Sequence, residues 1–537
     1  MRTLLHNDLW RFKEARKVTS LDRYILLILT IVGIVSILNL AEWWFTEFHI
    51  ANALLFTILS TFFWYENIRI IFIWINYLRV KKPLEVPVPD PSLSVAVFTT
   101  SAPGEPIEMF ENTFKALQNM TYPHTTYLLD STEDPRFKAL AEEYGIVHLD
   151  LVGIPGAKAG KINEALKRTD EEFILILDPD HIVFPNFLDQ TLGFFKDEKV
   201  GFVQVSQGYY NQYRSFVSQG AAEQTYMFYG PTQMGLYGYG GAVAIGANCT
   251  FRRKALESIG GHAQGLAEDL QTSLRIHAKG WKSIYNPVIV SRGLVPEDFG
   301  SFCKQQLKWA RGVFDVLFDD LPKEIKGFTF WQKISYSLTA TYYFCGLTTF
   351  FFILVPLLYF FGNIIPGNMI FTEFIQKFIP IFIVAVAIYF YMQRFLCDPS
   401  VEKGFHWKSM IMKYACWPVY TYAFILAIQR KKIPYIPTEK IAQKQFMTPY
   451  VKPLVIYCVL FILGMIAIYI NRRFFMAESE LFLSIQKTWG MVGFSLIAFI
   501  QSAIGIIIAY EATHLKGDNP WEHIRIDKNK TIKVSGN

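Results

Sequence analysis

The sequence predicts a mostly parallel α/β domain inserted into an α-helical membrane domain. Three observations carry that prediction. Six long apolar stretches hold almost no charge, residues 81–330 between the second and the third have ordinary composition, and within them short apolar runs alternate with helical patterns. Composition agrees. Of 537 residues, 52% are hydrophobic and only 18% charged, where a soluble chain averages about a quarter charged. The missing charge is confined to the apolar stretches. That excludes a wholly soluble enzyme and a disordered protein. The net charge of +6, from 52 Lys+Arg against 46 Asp+Glu, gives no basis for nucleic-acid binding. The six cysteines include no CxxC pair, so neither a zinc site nor a disulfide framework is read from them, and a reduced compartment is expected.

Taken in order, residues 1–23 are basic (Arg2, Arg11, Lys13, Arg16, Lys17, Arg23) and are expected in the cytosol. The stretch 24–45 is too long for a signal-peptide core and lacks a small-residue cleavage site, so it stays as a first span. The second, 52–78, ends in Arg79-Val80-Lys81-Lys82, which returns the chain to the cytosolic side. A Pro-rich linker, Lys82 to Pro89, opens the α/β domain. Its expected strands are Ser94–Thr99, Thr125–Leu129, Ile146–Leu149, Phe173–Leu177 and Gly201–Ser206, with helices at Pro106–Gln118, Arg136–Tyr144 and Gly160–Arg168. Spans three and four are 338–362 and 377–395, joined by an outer connection with almost no charge before Glu373. The stretch 410–428 carries Lys413 and Trp417-Pro418 and precedes Arg430-Lys431-Lys432. A crossing there would strand that basic run outside, so it reads as an amphipathic helix in the inner interface. Spans five and six are 452–471 and 488–510. The division is 1–23, a cytosolic N-terminal segment; 24–80, spans one and two; 81–330, the cytosolic domain with interfacial helices; 331–400, spans three and four; 401–450, an interfacial helix and a loop; 451–512, spans five and six; 513–537, a short cytosolic tail. The expected location is the cell (plasma) membrane, multi-pass, with the α/β domain cytosolic.

In a parallel sheet a ligand sits beyond the carboxyl ends of the strands, so chemistry is sought just after each one. The strongest local signal is Phe173-Ile174-Leu175-Ile176-Leu177-Asp178-Pro179-Asp180-His181. A buried strand ends in two carboxylates one residue apart, which suits a divalent cation shared with a diphosphate. Solvated turn residues would look the same in isolation. Asp130 ends the preceding strand, where a carboxylate meets a base or ribose. Gly156-Ala157-Lys158-Ala159-Gly160-Lys161 opens a helix with two lysines and small residues, a turn suited to a diphosphate. Leu266-Ala267-Glu268-Asp269 places two carboxylates at a helix start, a position that the helix dipole also favours for purely structural reasons. Gln305-Gln306-Leu307-Lys308-Trp309-Ala310-Arg311 is amphipathic, with an indole and cations.

Asp130, Ala157-Lys158-Ala159-Gly160, Asp178-Pro179-Asp180-His181, Glu268-Asp269 and Gln305-Gln306-Leu307-Lys308-Trp309 come in the order and at the spacing of a known family. The chain resembles the processive family 2 (GT2) glycosyltransferases of the cellulose synthase type over about residues 20–510. Each motif is weak alone, and the set is specific. The resemblance implies a cytosolic GT-A domain that polymerises a sugar from a UDP-sugar and extrudes the product through its own membrane spans. It implies that Asp130 contacts uridine, with Thr100 and Glu105 as neighbours. Asp178 and Asp180 would hold UDP and a Mg²⁺ or Mn²⁺ ion, with Lys158, His181, Gln305 and Lys308 around the donor. Asp269 would be the general base on the acceptor hydroxyl, with Glu268 and Trp309 on the acceptor. Tyr435-Ile436-Pro437-Thr438-Glu439-Lys440 resembles the family's gating loop, in which Thr438 and Lys440 face the diphosphate.

Two departures stand out. Lys308 replaces the usual arginine and keeps charge without the bidentate fork, with Arg311 as the candidate to compensate. The usual Thr-Glu-Asp is Ala267-Glu268-Asp269 here, which leaves the base in place. The residues after 511 are too few for the cyclic-di-GMP-binding domain of many bacterial relatives, so none is expected in this chain. The expected partners are a UDP-sugar donor, UDP-glucose first, a growing β-glucan and the lipid bilayer. Cellulose, a mixed 1,3;1,4-linked glucan and a 1,3-glucan remain alternatives, as do chitin or hyaluronan synthesis and non-processive transfer to a lipid. Trp43-Trp44, Trp64-Tyr65, Tyr342-Tyr343-Phe344 and Trp417 supply aromatic faces for a sliding glycan path, or simply an interfacial belt.

Overall fold

The computed structural model describes residues 10–434, 439–442, 446, 448–475, 481–515, 519–522, 524–526 and 532–534. Its sheet is built from β1 (Lys13–Glu14), β2 (Val95–Thr100), β3 (Thr125–Asp130), β4 (Val147–Asp150), β5 (Phe173–Leu177), β6 (Ile182–Val183), β7 (Val200–Tyr209), β8 (Cys249–Arg252) and β9 (Lys282–Gly293). The order is β1-β9-β7-β8-β5-β2-β3-β4, with β6 also paired to β9. Neighbours β4, β3, β2 and β5 run parallel, as do β7 and β9, whereas β8 is antiparallel to both its neighbours. The central strand shows why. Phe173, Leu175 and Leu177 enter one core, with Phe110, Phe114 and Val203, while Ile174 and Ile176 enter the other, with Phe98, Ile162 and Phe202. A strand buried on both faces reads as an unbroken apolar run and belongs inside a parallel sheet.

Among the described residues, six helices are long and apolar enough to cross a membrane: Ser20–Trp44, Ala53–Tyr77, Phe330–Gly362, Phe371–Phe395, Lys452–Asn471 and Thr488–His514. The stretch read as one amphipathic helix at 410–428 is instead two helices, Trp407–Ala415 and Trp417–Ile428, bent by 46°. The cause is Pro418, which lacks an N–H and starts a new helix. Val419, Tyr420 and Ala423 of the second helix are buried against the segment Phe299–Asp315.

Described segments before the first and after the last of the six helices pack on the α/β domain. β1, ahead of the first long helix, pairs with β9. Beyond the last one, Trp521 and Ile524 join the core under β2 and β5, and Asn112 Nδ2 donates to Trp521 O at 3.3 Å. With the segments that flank the long helices packed on one domain, an even number of crossings such as six is compatible with this arrangement.

Candidate active site

The carboxyl edges of β2, β3 and β5 converge on one cleft. Thr100 pairs in register with Leu129, which sets Thr100 and Ser101 beside Asp130. Asp130 Oδ1 accepts from Ser101 Oγ (2.5 Å), Thr132 N (2.9 Å) and Thr132 Oγ1 (2.8 Å), and Oδ2 faces His148 Nε2 at 2.9 Å. Burial pushes this carboxyl up, but the hydrogen bonds from Ser101, His148 and Thr132 outweigh it and hold the group below its ordinary value. Glu105 accepts from Ala102 N at 2.9 Å, and burial lifts it to about 7 against the opposing charge of Lys440.

The helix expected from Gly160 begins at Ala157, because Gly156 takes φ +95° and turns the chain into it. A Cβ on Gly160 would lie 1.9 Å from Pro155 O, so only glycine lets this turn close. The turn delivers two buried lysines. Lys158 Nζ donates to Asp178 Oδ1 (2.5 Å) and Gly246 O (2.6 Å), and Lys161 Nζ to Ser101 O (2.6 Å) and Ser131 Oγ (2.9 Å).

Among the described residues, Asp178, Asp180 and His181 form the one carboxylate–imidazole group with donor atoms within 4.8 Å of one another. Asp180 Oδ2 accepts from Leu294 N at 2.8 Å, while Oδ1 faces Lys440 Nζ at 2.9 Å and His181 Nδ1 at 3.6 Å. Burial opposes both charges. Lys158 nonetheless holds Asp178 low, and Lys440 with His181 holds Asp180 far below the carboxylate range. Both ring nitrogens of His181 are buried without a hydrogen-bond partner. Two ionised carboxylates and an unsatisfied imidazole fit a divalent cation that also binds a diphosphate.

Asp269 reaches the same cleft from the start of the helix Glu268–Ala278. Its Oδ1 accepts from Leu270 N at 2.7 Å, and its Oδ2 lies 3.4 Å from where a Cβ on Gly246 would sit, the residue whose carbonyl takes Lys158. Burial and the charge of Glu268 raise Asp269 to about 7, and burial also raises Glu268. The helix Phe299–Asp315 presses on this loop. A Cβ on Gly312 would be 2.6 Å from Ala267 N. Lys308 is lowered by burial against the attraction of Glu268 and Asp178. Trp309 packs into the cluster of Tyr343, Tyr420 and Phe302.

Other expected residues fall less directly on the site. Gln305 is half-buried, and its neighbour Gln306 is the engaged one, accepting from Tyr420 OH (3.0 Å) and Gln224 Nε2 (3.3 Å). Arg311 is turned away, donating to Lys431 O at 3.1 Å and pairing with Asp315, so it does not stand in for the missing arginine. Thr438 lies outside the described residues. Glu439 bonds Lys304 Nζ (2.5 Å) and Ser301 Oγ (3.2 Å), which docks Lys440 over Asp180. Lys161, one of the two lysines expected on the diphosphate turn, lies one helical turn after Lys158 and holds Ser101 and Ser131 instead. Sequence reasoning missed His148 and the backbone N–H of Leu294.

Residues 173–396 match the family described as glycosyl transferase family group 2, which takes in β5, the cation group, Glu268-Asp269 and the helix Phe299–Asp315. Over those residues, less than half of its length, the chain is similar to group 2 glycosyltransferases. It is also similar to cellulose synthases. The UDP-forming cellulose synthase catalytic subunit of Komagataeibacter sucrofermentans is 28% identical over 310 residues, covering 54% of this chain and 41% of that protein. That of Pseudomonas fluorescens is 25% identical over 437 residues, 77% of this chain and 56% of that protein. Cellulose synthase 1 catalytic subunit of Komagataeibacter xylinus is 31% identical over 250 residues, 45% of this chain and 34% of that protein. The chain thus spans about half or less of the length of these relatives. A solved mannosyltransferase of Pyrobaculum calidifontis, in complex with GDP-mannose and Mn²⁺, superposes at a TM-score of 0.44 with 16% identity, covering 70% of this chain and 100% of that one.

Proposed function

We propose that the chain is a processive, inverting β-glycosyltransferase that polymerises glucose from UDP-glucose into a β-glucan and passes the product through its own membrane helices. The observation that carries this reading is the link from Asp178 through Lys158 to Gly246 and on to Asp269. It sets a carboxyl titrating near neutrality across a narrow gap from a cationic, diphosphate-type pocket. An inverting displacement at an anomeric carbon needs that opposition of base and leaving group.

Asp130 already spends three acceptor positions of Oδ1 on the protein and one of Oδ2 on His148. An N–H of the uracil base would take the remaining lone pair of Oδ2, with Thr100 and Glu105 as its walls. Lys158, Lys308 and Lys440 surround the diphosphate with positive charge. Asp178, Asp180 and His181 would hold a Mg²⁺ or Mn²⁺ ion, which when bound neutralises the departing diphosphate. Asp269 takes the proton from the acceptor hydroxyl, and Glu268 raises its basicity. Trp309 offers a flat face to the acceptor sugar, stiffened by Tyr343 and Tyr420. Among the aromatics in the membrane helices, Trp44 donates to Ser60 Oγ at 2.8 Å and stacks on Phe63, and the Tyr342 ring has Arg69 and Lys413 over it at 5.1 and 5.0 Å. Those cations leave less of the Tyr342 ring for a sugar, so Tyr343 and Trp309 are the stronger stacking surfaces.

The test is incubation of the purified protein with UDP-glucose and Mg²⁺, followed by digestion with linkage-specific glucanases. Product cut by a β-1,4- or β-1,3-glucanase fixes the linkage. Release of UDP with no polymer, or polymer only from another UDP-sugar, would overturn the glucan reading.

A further inference from the structure

The end of β9 ties the cation group to the membrane helices. Arg292 and Asp398 are both fully buried, at 2% and 1% exposure, and their Nη2 and Oδ2 lie 3.0 Å apart. Asp398 follows the membrane helix Phe371–Phe395. It also accepts from Ser400 Oγ at 2.5 Å and faces Lys13 Nζ of β1 at 3.8 Å, while its N–H donates to Glu402 at 3.0 Å. One carboxylate therefore joins the N-terminal strand, the sheet and the exit of a membrane helix. An ion pair taken out of water loses hydration that its mutual attraction only about repays, so such a pair is a weak source of stability. Its better-attested use is to select one geometry.

The residues around Arg292 show which geometry. Ile182 pairs with Arg292 across β6 and β9, which brings His181 against the next residue. A Cβ on Gly293 would lie 2.6 Å from His181 Cε1, so the strand end presses on the imidazole. The following residue, Leu294, donates its N–H to Asp180 Oδ2 at 2.8 Å and so aims Oδ1 into the cation group. β7 makes room for the guanidinium: a Cβ on Gly208 would be 2.8 Å from Arg292 Nη1.

We propose that Arg292, held by Asp398, is a positioning residue for the divalent-cation site. It fixes the strand end whose backbone orients Asp180 and confines His181, and it couples that site to the end of the helix Phe371–Phe395. The inference rests on the reading of Asp178, Asp180 and His181 as a cation site. The test is UDP binding to the full-length protein in detergent, titrated with Mn²⁺, with thermal unfolding as a check on folding. Arg292→Met and Asp398→Asn should each raise the Mn²⁺ concentration that gives half of the enhancement in UDP affinity by about tenfold or more, as loss of an outer-shell partner does. UDP affinity without metal should stay within about twofold, and Arg292→Lys should recover most of the shift. If Mn²⁺ does not enhance UDP binding in the wild type, the cation-site reading fails and the inference with it. If the wild type responds and a folded variant responds equally, or UDP affinity falls alike with and without metal, Arg292 only holds the fold and the inference alone is overturned. Asp398→Asn keeps the shape of the pair and decides the matter if Arg292→Met does not fold.

Discussion

Replacing Asp269 by asparagine separates its chemistry from its place in the fold. The carboxyl is raised from 3.8 to about 7 by burial and by the charge of Glu268. That rise corresponds to on the order of 4 kcal/mol held against the ionised form. In the unfolded chain the group ionises near its ordinary value, and in the folded chain only near 7. The wild type therefore loses stability relative to a neutral asparagine as pH climbs from about 4 to 7, and the deficit is complete above 7. Asp269→Asn should melt higher than wild type at pH 8, and the difference should vanish towards pH 4. Activity should move the other way. Wild-type turnover should rise with pH through about 7 as the base ionises, while the variant loses the 10²–10⁴-fold typical of general acid–base catalysis, about 3–5 kcal/mol of barrier. UDP affinity should barely change, since Gly246 stands between Asp269 and the Lys158–Asp178 pair. The assays are radiolabelled polymer synthesis across pH, UDP titration and thermal unfolding at two pH values. A variant that keeps more than about a tenth of wild-type synthesis, or that melts lower than wild type at pH 8, refutes the reasoning.

Three further outcomes are expected. EDTA should abolish transfer and Mg²⁺ or Mn²⁺ restore it, and Asp180→Ala should weaken UDP binding only when metal is present; equal loss in both conditions, measured by UDP titration, would make Asp180 a purely structural group. Gly160→Ala should lower the melting temperature and UDP affinity together, because its Cβ meets Pro155 O at 1.9 Å and the clash exceeds the ~1 kcal/mol that alanine gains as a helix former; an unchanged melting curve would show that the turn can relax. In sealed vesicles with the α/β domain outward, polymer should accumulate in the lumen protected from added glucanase, since a polar chain cannot cross hydrocarbon unaided; product that stays digestible while the vesicles remain sealed would separate synthesis from export.

The residues alone determined what depends on local pattern. The run Phe173–Leu177 could only be a strand buried on both faces, the carboxylates after it had to emerge together, and the long apolar stretches had to be helices. β8 and β9 were not legible in that way. Cys249–Arg252 is too short for a periodic signal, and β9 runs through Asn286-Pro287, which interrupts its pattern. Their places, an antiparallel β8 between β5 and β7 and a β9 that reaches back to β1, are set by pairing between residues far apart in the chain. The same holds inside the site. Sequence named Lys158, Asp178, Asp180 and Asp269 as residue types in order, but only the fold brings Gly246 and Gly312 close enough to set Asp269 opposite Lys158. It also turns Arg311 away from the cleft, pairs Asp130 with His148, and buries Arg292 against Asp398. Spacing along a chain fixes which side of one element a residue occupies, whereas which element that side meets depends on close packing of the whole domain, where a single Cβ is enough to forbid an approach.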